Sequence, residues 1–147
     1  IILNEGYSID IRGSYLRSEY PLPLTSLSAA IYYWPVLAMD GVDYIEVASN
    51  KLNYSDGNIS FVNTSCKDPE IVEMEGLRLV SPFKAVFDAF TVYRDAHRNA
   101  QLVFDIKYYG RENEFEELRD YCHYWGMPKE VWQREVSVLD EDFNPYH

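Results

Sequence analysis

The sequence predicts an α+β fold: a small, mainly antiparallel sheet from the first half, packed with a C-terminal helical subdomain of three to four helices. Three observations point there. Short apolar runs separated by turn residues fill roughly positions 42–80, the pattern of short strands. From Phe83 onward apolar residues recur at helical i, i+3, i+4, i+7 spacing. Strands come first and helices afterwards, an order that favours α+β over a doubly wound α/β fold.

The best-defined stretch is Val72 to Arg94 (VEMEGLRLVSPFKAVFDAFTVYR). Ile71 to Met74 and Leu77 to Val80 are two short apolar runs separated by Glu75-Gly76. Glycine supplies the positive φ that a two-residue hairpin turn needs. Ser81 then stands where a hydroxyl can accept from the free amides of a first helical turn. Pro82 follows with φ already helical and no hydrogen bond to lose. Phe83, Val86, Phe87 and Phe90 make one apolar stripe, and Asp88 lies off it, available to a neighbouring loop.

The other elements fall around this stretch. Positions 1–20 read as irregular or short β structure, and Pro21 and Pro23 enforce an extended link. Thr25 or Ser26 can cap a helix with Leu27, Ala30, Ile31 and Trp34 on one face, ended by Pro35. Val42 to Ala48 is a predicted strand, Asn50 to Asn58 a polar connection with a turn at Asp56-Gly57, and Ile59 to Thr64 another strand. Asp95 can cap a helix to about Tyr109, with Leu102, Val103, Ile106 and Tyr109 as its stripe and Gly110 after its end. Asn113 can cap the next, carrying Phe115, Leu118, Cys122 and Trp125, closed by Gly126. Pro128 opens a last helix to about Val138. Positions 1–138 thus form a single domain, and 139–147 an acidic tail.

Composition narrows the function. With 47% apolar and 16% aromatic residues the chain has enough to bury for a core, so disorder is not expected for most of it. The net charge of −11 disfavours autonomous binding to phosphate backbones and fits a basic protein partner. From Arg111 onward ten Asp/Glu stand against four Lys/Arg, which places −6 of the −11 there. Two cysteines, Cys66 and Cys122, lack paired spacing, so neither a disulfide scaffold nor a zinc module is expected; whether the two pair with each other stays open. No apolar run approaches the roughly 20 residues of a membrane helix. Without a visible signal peptide, a cytoplasmic location is expected.

Chemistry-bearing residues are few. Cys122-His123, with His97 and Cys66 elsewhere, could ligate a metal. Cys122 sits on an apolar stripe, where cysteine serves as a small hydrophobe, so no metal is expected. Asp88, Asp95 and Asp105 with His97 could do acid–base work, but Asp95 is already explained as a cap. No catalytic residue and no cofactor are predicted. Arg94, Arg98 and Arg111 are candidates for a basic interaction patch, Arg94 and Arg98 sharing a face if their helix is continuous. Arg12 and Arg17 make the N-terminal stretch locally basic and join them as candidates.

Three blocks resemble a known family. Pro23 to Trp34 (PLTSLSAAIYYW), Asp43 to Ser49 (DYIEVAS) and Gly76 to Phe90 (GLRLVSPFKAVFDAF) together resemble the C-terminal region of AbiEi-type antitoxins, the regulators of abortive-infection toxin–antitoxin systems. The third block is the most recognisable, with Ser81, Pro82, Phe83, Phe87 and Asp88 as its structural signature. The sequence departs from the family pattern at Ser28-Ala29-Ala30, where Ser-Ala-Leu is common, and at Phe83-Lys84 after the proline. The resemblance implies a non-enzymatic antitoxin or regulatory module of antiviral defence that counters a cognate toxin, a nucleotidyltransferase in this family's systems. Transcriptional regulation through promoter DNA would then reside in an N-terminal winged helix preceding the blocks. The alternative from charge alone is an acidic inhibitor or adaptor that binds a basic or nucleic-acid-binding protein.

Overall fold

Two short sheets are sewn together by a single extended segment. The computed structural model describes residues 22–34, 45–49, 54–56 and 59–140. The expectations for positions 1–20, including Arg12 and Arg17, and for the tail beyond residue 140 lie outside the described residues. Strands β1 (Ile45–Ala48) and β3 (Ile59–Val62) pair in parallel, and β2 (Tyr54–Asp56) pairs antiparallel on the other side of β3. Strands β4 (Ile71–Met74) and β5 (Leu77–Val80) form the antiparallel hairpin. Two of the three ladders are antiparallel, as the sequence predicts. The strand β2 is a correction, because it lies where a polar connection is expected.

The stitch is residues 23–25. Leu24 N–H donates to Arg78 O at 2.8 Å, and Val80 N–H donates to Leu24 O at 2.9 Å. On the other side Thr25 N–H donates to Glu46 O and Ala48 N–H donates to Pro23 O, both at 2.9 Å. Pro23 forces the residue before it into an extended conformation. Extended backbone leaves its amides and carbonyls to be satisfied by neighbours, and β1 and β5 supply them. The spatial order is therefore β2, β3, β1, residues 23–25, β5, β4.

The hairpin turn has φ of 50° at Glu75 and 81° at Gly76. Two successive positive values match the right-handed twist of the flanking strands. Helix α1 (Ser26–Ala30) follows the stitch and is wholly buried. Helix α2 (Pro82–Val92) follows β5 and lies at the centre, contacting α1, α3 (Ala96–Tyr109), α4 (Glu114–Tyr124) and α5 (Lys129–Val136). A 3-10 turn, Ser137–Asp140, ends the described chain. The stripe predicted for α2 understates its burial: every residue from Lys84 to Phe90 is buried. Phe87 and Phe90 are its largest wholly buried side chains, and Leu27, Leu79, Leu102, Ile106 and Leu118 complete the centre of the core.

Helix ends follow local chemistry in some places and not in others. Asp95 caps α3 as expected, its side chain accepting from Arg98 N–H at 3.0 Å. Gly126, at φ 83°, closes α4, with Met127 N–H donating to Cys122 O at 2.9 Å. Four expectations are corrected. Ser81 and Asn113 precede their helices without a side-chain cap. Thr25 does not cap α1, because its hydroxyl is used elsewhere. Gly110 ends α3 in an extended rather than left-handed conformation. Tyr109, placed on the α3 stripe by its spacing, is 70% exposed and borders a surface cavity rather than the core.

Candidate functional site

Asp88 is the hub of a polar cluster inside the fold. It is fully buried on α2 and accepts hydrogen bonds from the hydroxyls of Thr25 and Thr64. Thr25 belongs to the stitch and Thr64 to the loop after β3, so one carboxylate holds two distant segments. Lys84, one helical turn earlier, is also buried and donates from Nζ to Cys66 O at 2.5 Å. Burial raises the Asp88 carboxyl above its ordinary value, and the Lys84 ammonium and the two hydroxyl bonds partly counter that.

Glu46 on β1 is the second buried acid, 1% exposed. Its carboxyl is pushed up to about 7, chiefly by burial; Arg94 and the Leu27 amide lower it and Asp88 raises it. Its own N–H donates to Ser28 Oγ at 2.8 Å, which pins α1 to β1. Its Oε2 has no hydrogen-bond partner among the described residues. Arg94, whose charge acts on Glu46, donates from Nη1 to Ser60 Oγ at 2.5 Å.

The surface above the start of α2 carries a cleft. Two cavities of 310 and 340 Å³ share Pro82, Arg111 and Glu114 as a common wall. The first is lined further by Tyr33, Trp34, Asp105 and Tyr109, the second by Asp68, Glu70, Ser81, Phe83 and Tyr121. The rings are held by their polar ends. Tyr33 OH donates to Val80 O at 2.7 Å, and Trp34 Nε1–H donates to Glu114 Oε1 at 3.4 Å. Asp68 Oδ2 accepts from Tyr121 OH at 2.9 Å and from Ser81 Oγ at 3.3 Å. Burial and then Glu70 raise the Tyr33 phenol to about 12. Burial and the neighbouring Cys66, 3.2 Å from Tyr121 OH, raise the Tyr121 phenol. A third cavity, of 620 Å³, lies at the other end of α4 between His123, Met127, Lys129 and Trp132.

The arginine candidates are not brought together. Helix α2 stops at Val92 because Tyr93 turns left-handed at φ 52°, so Arg94 and Arg98 do not share a helical face. Arg94 faces Ser60 and Glu46, and Arg98 donates from Nη1 to Gln101 Oε1 at 3.0 Å. Arg111 sits beyond the other end of α3, about 20 Å away at 1.5 Å per residue. It spans Glu114 at 3.0 Å and Glu117 at 3.1 Å, which raises its pKa. Of the signature residues, Pro82 and Phe83 border the cleft, Phe87 is core, and Ser81 donates to Asp68.

Both cysteines are free and buried. Burial, then Cys66, raises the Cys122 thiol. Among the described residues no group of three or more His, Cys, Asp or Glu could hold a metal ion, and no helix is long and apolar enough to cross a membrane.

Sequence reasoning missed Thr25, Glu46, Thr64 and Lys84 as one cluster. One signal was legible: Lys84 and Asp88 stand four apart in an otherwise apolar helix, on one face. A buried charge needs partners, so such a pair points to polar groups arriving from other elements. Comparison with known proteins adds no relative: no family model, no curated protein and no solved structure matches the chain.

Proposed function

We propose that this chain is a non-enzymatic regulatory module that counters a partner toxin, an antitoxin of the AbiEi type. The supporting observation is the meeting of three blocks around one residue. Thr25 comes from the first block, Glu46 from the second, and Lys84 and Asp88 from the third. Backbone bonds from residues 23–25 join β1 of the second block to β5 of the third. Segments separated in sequence thus form one structural unit. One side-chain bond joins the first and third blocks directly, Thr25 to Asp88, while Asp88 also holds Thr64 and Ser81 holds Asp68, both from the loop after β3. In this proposal promoter-DNA binding belongs to a winged helix N-terminal to the blocks, and the module works in the cytoplasm.

The test is co-expression with an adjacent nucleotidyltransferase-like gene. The proposal expects that gene to arrest growth alone and growth to resume when this chain is supplied. Unchanged toxicity in the presence of folded chain would overturn it.

The charge of −11 favours a second reading, an acidic inhibitor or adaptor for a basic or nucleic-acid-binding protein. Capture by such a partner must weaken with salt, since exposed charges are screened beyond about 8 Å at physiological ionic strength. A partner held equally at low and high salt argues against it.

A further inference from the structure

We propose that the cleft beside Pro82 receives a lysine or arginine side chain from a protein partner, gripped between aromatic rings and carboxylates. Three independent features converge there. First, the two cavities are each of a size to take the head of one long side chain, 310 and 340 Å³. Secondly, their walls are aromatic: Tyr33, Trp34 and Tyr109 in one, Phe83 and Tyr121 in the other. Ring faces attract cations, guanidinium most often. Thirdly, the charge is lopsided: among the described residues lining the two cavities, the carboxylates Asp68, Glu70 and Glu114 outnumber the single cation Arg111.

Arg111 already pairs with carboxylates at this edge of the cleft. Its guanidinium, two-thirds exposed, already lies on Glu114 and Glu117 at the shared wall of the two cavities. An incoming cation competes with it for Glu114. The receiving groups are also set in advance. Tyr33 is tied to Val80 O, Trp34 to Glu114 and Tyr121 to Asp68, so little side-chain freedom is lost on binding. The field of a chain with net charge −11 draws a basic partner toward the cleft before contact.

The inference rests on the proposed function only in taking the partner to be a protein. The probe is a short fluorescein-labelled arginine–serine peptide, titrated with the full chain and followed by anisotropy. Each charge variant has a control of equal charge change at an exposed residue that lines neither cavity. Glu70→Lys, at an exposed residue, weakens binding about tenfold, whereas Glu130→Lys weakens it less than about twofold. Arg111→Ala frees Glu114 and tightens binding, whereas Arg119→Ala leaves it nearly unchanged. Tyr109→Ala, at a residue 70% exposed, weakens binding about two- to fivefold with no charge change. Unaltered circular dichroism and urea midpoints establish that each variant is folded.

Equal effects within each charge-matched pair would mean diffuse attraction and overturn the cleft. So would a Tyr109→Ala variant that binds like wild type. The co-expression assay is scored separately: failure of the wild-type chain to rescue growth removes the antitoxin reading, while the paired peptide titrations decide the cleft.

Discussion

Glu46→Gln separates the charge of the buried acid from its shape. Glu46 is 1% exposed, and its carboxyl rises from 4.5 to about 7 because ionisation is penalised by burial. A carboxyl raised in the folded state binds more protons folded than unfolded across that interval. Stability therefore falls as pH climbs through it. The contribution is fully present below about 4.5 and lost once pH passes about 7. At 1.36 kcal/mol per pH unit, the interval is worth about 3 kcal/mol. Asp88 and Glu135 are also raised by burial and push in the same direction. Glutamine keeps the shape and cannot ionise. Urea unfolding of both proteins at a series of pH values from 4.5 to 8 reads the difference. The stability of Glu46→Gln relative to wild type should improve by about 3 kcal/mol across the series, whatever constant offset the amide brings. Parallel pH profiles would refute the buried, proton-binding Glu46.

Three further substitutions test the frame. Phe87→Ala, at a wholly buried ring, should cost about 3–5 kcal/mol in urea unfolding; a loss under about 1 kcal/mol would show that α2 is not core. Asp88→Ala should cost about 3 kcal/mol or more, because it strands the hydroxyls of Thr25 and Thr64 and leaves Lys84 buried without its counter-charge; near-neutral stability would contradict the hub. Ser81→Ala should cost about 1 kcal/mol or less through its bond to Asp68, and nothing further in an Asp68→Ala background; a full cost persisting there would restore a helix-capping role.

What was legible in the sequence was local. The Glu75-Gly76 turn, the Pro82 start of α2 and the Asp95 cap each depend on residues within a turn of one another, and each is found. What escaped depends on partners far along the chain. Thr25 looks like a helix cap by its neighbours, yet its hydroxyl serves Asp88, 63 residues away. Thr64 meets the same carboxylate across 24 residues. Residues 23–25 look like a proline link, and only the presence of both β1 and β5 makes them the seam of the sheet. The Arg94–Arg98 patch fails for a local reason that the residue types conceal: a tyrosine, not a glycine, takes the left-handed position that ends α2. The cleft is partly legible after the fact, since Ser81-Pro82-Phe83 lines it, but Tyr33 and Trp34 reach it from the turn after α1 and Tyr109 from the end of α3.

The central claim is that this chain relieves the toxicity of a partner. The direct measurement is the growth rate of cells carrying the proposed toxin, the product of a neighbouring gene, under one inducible promoter and this chain under another. The account predicts arrest when the toxin is induced alone and graded recovery as the chain is induced. Arrest that persists at every level of soluble, folded chain would contradict it.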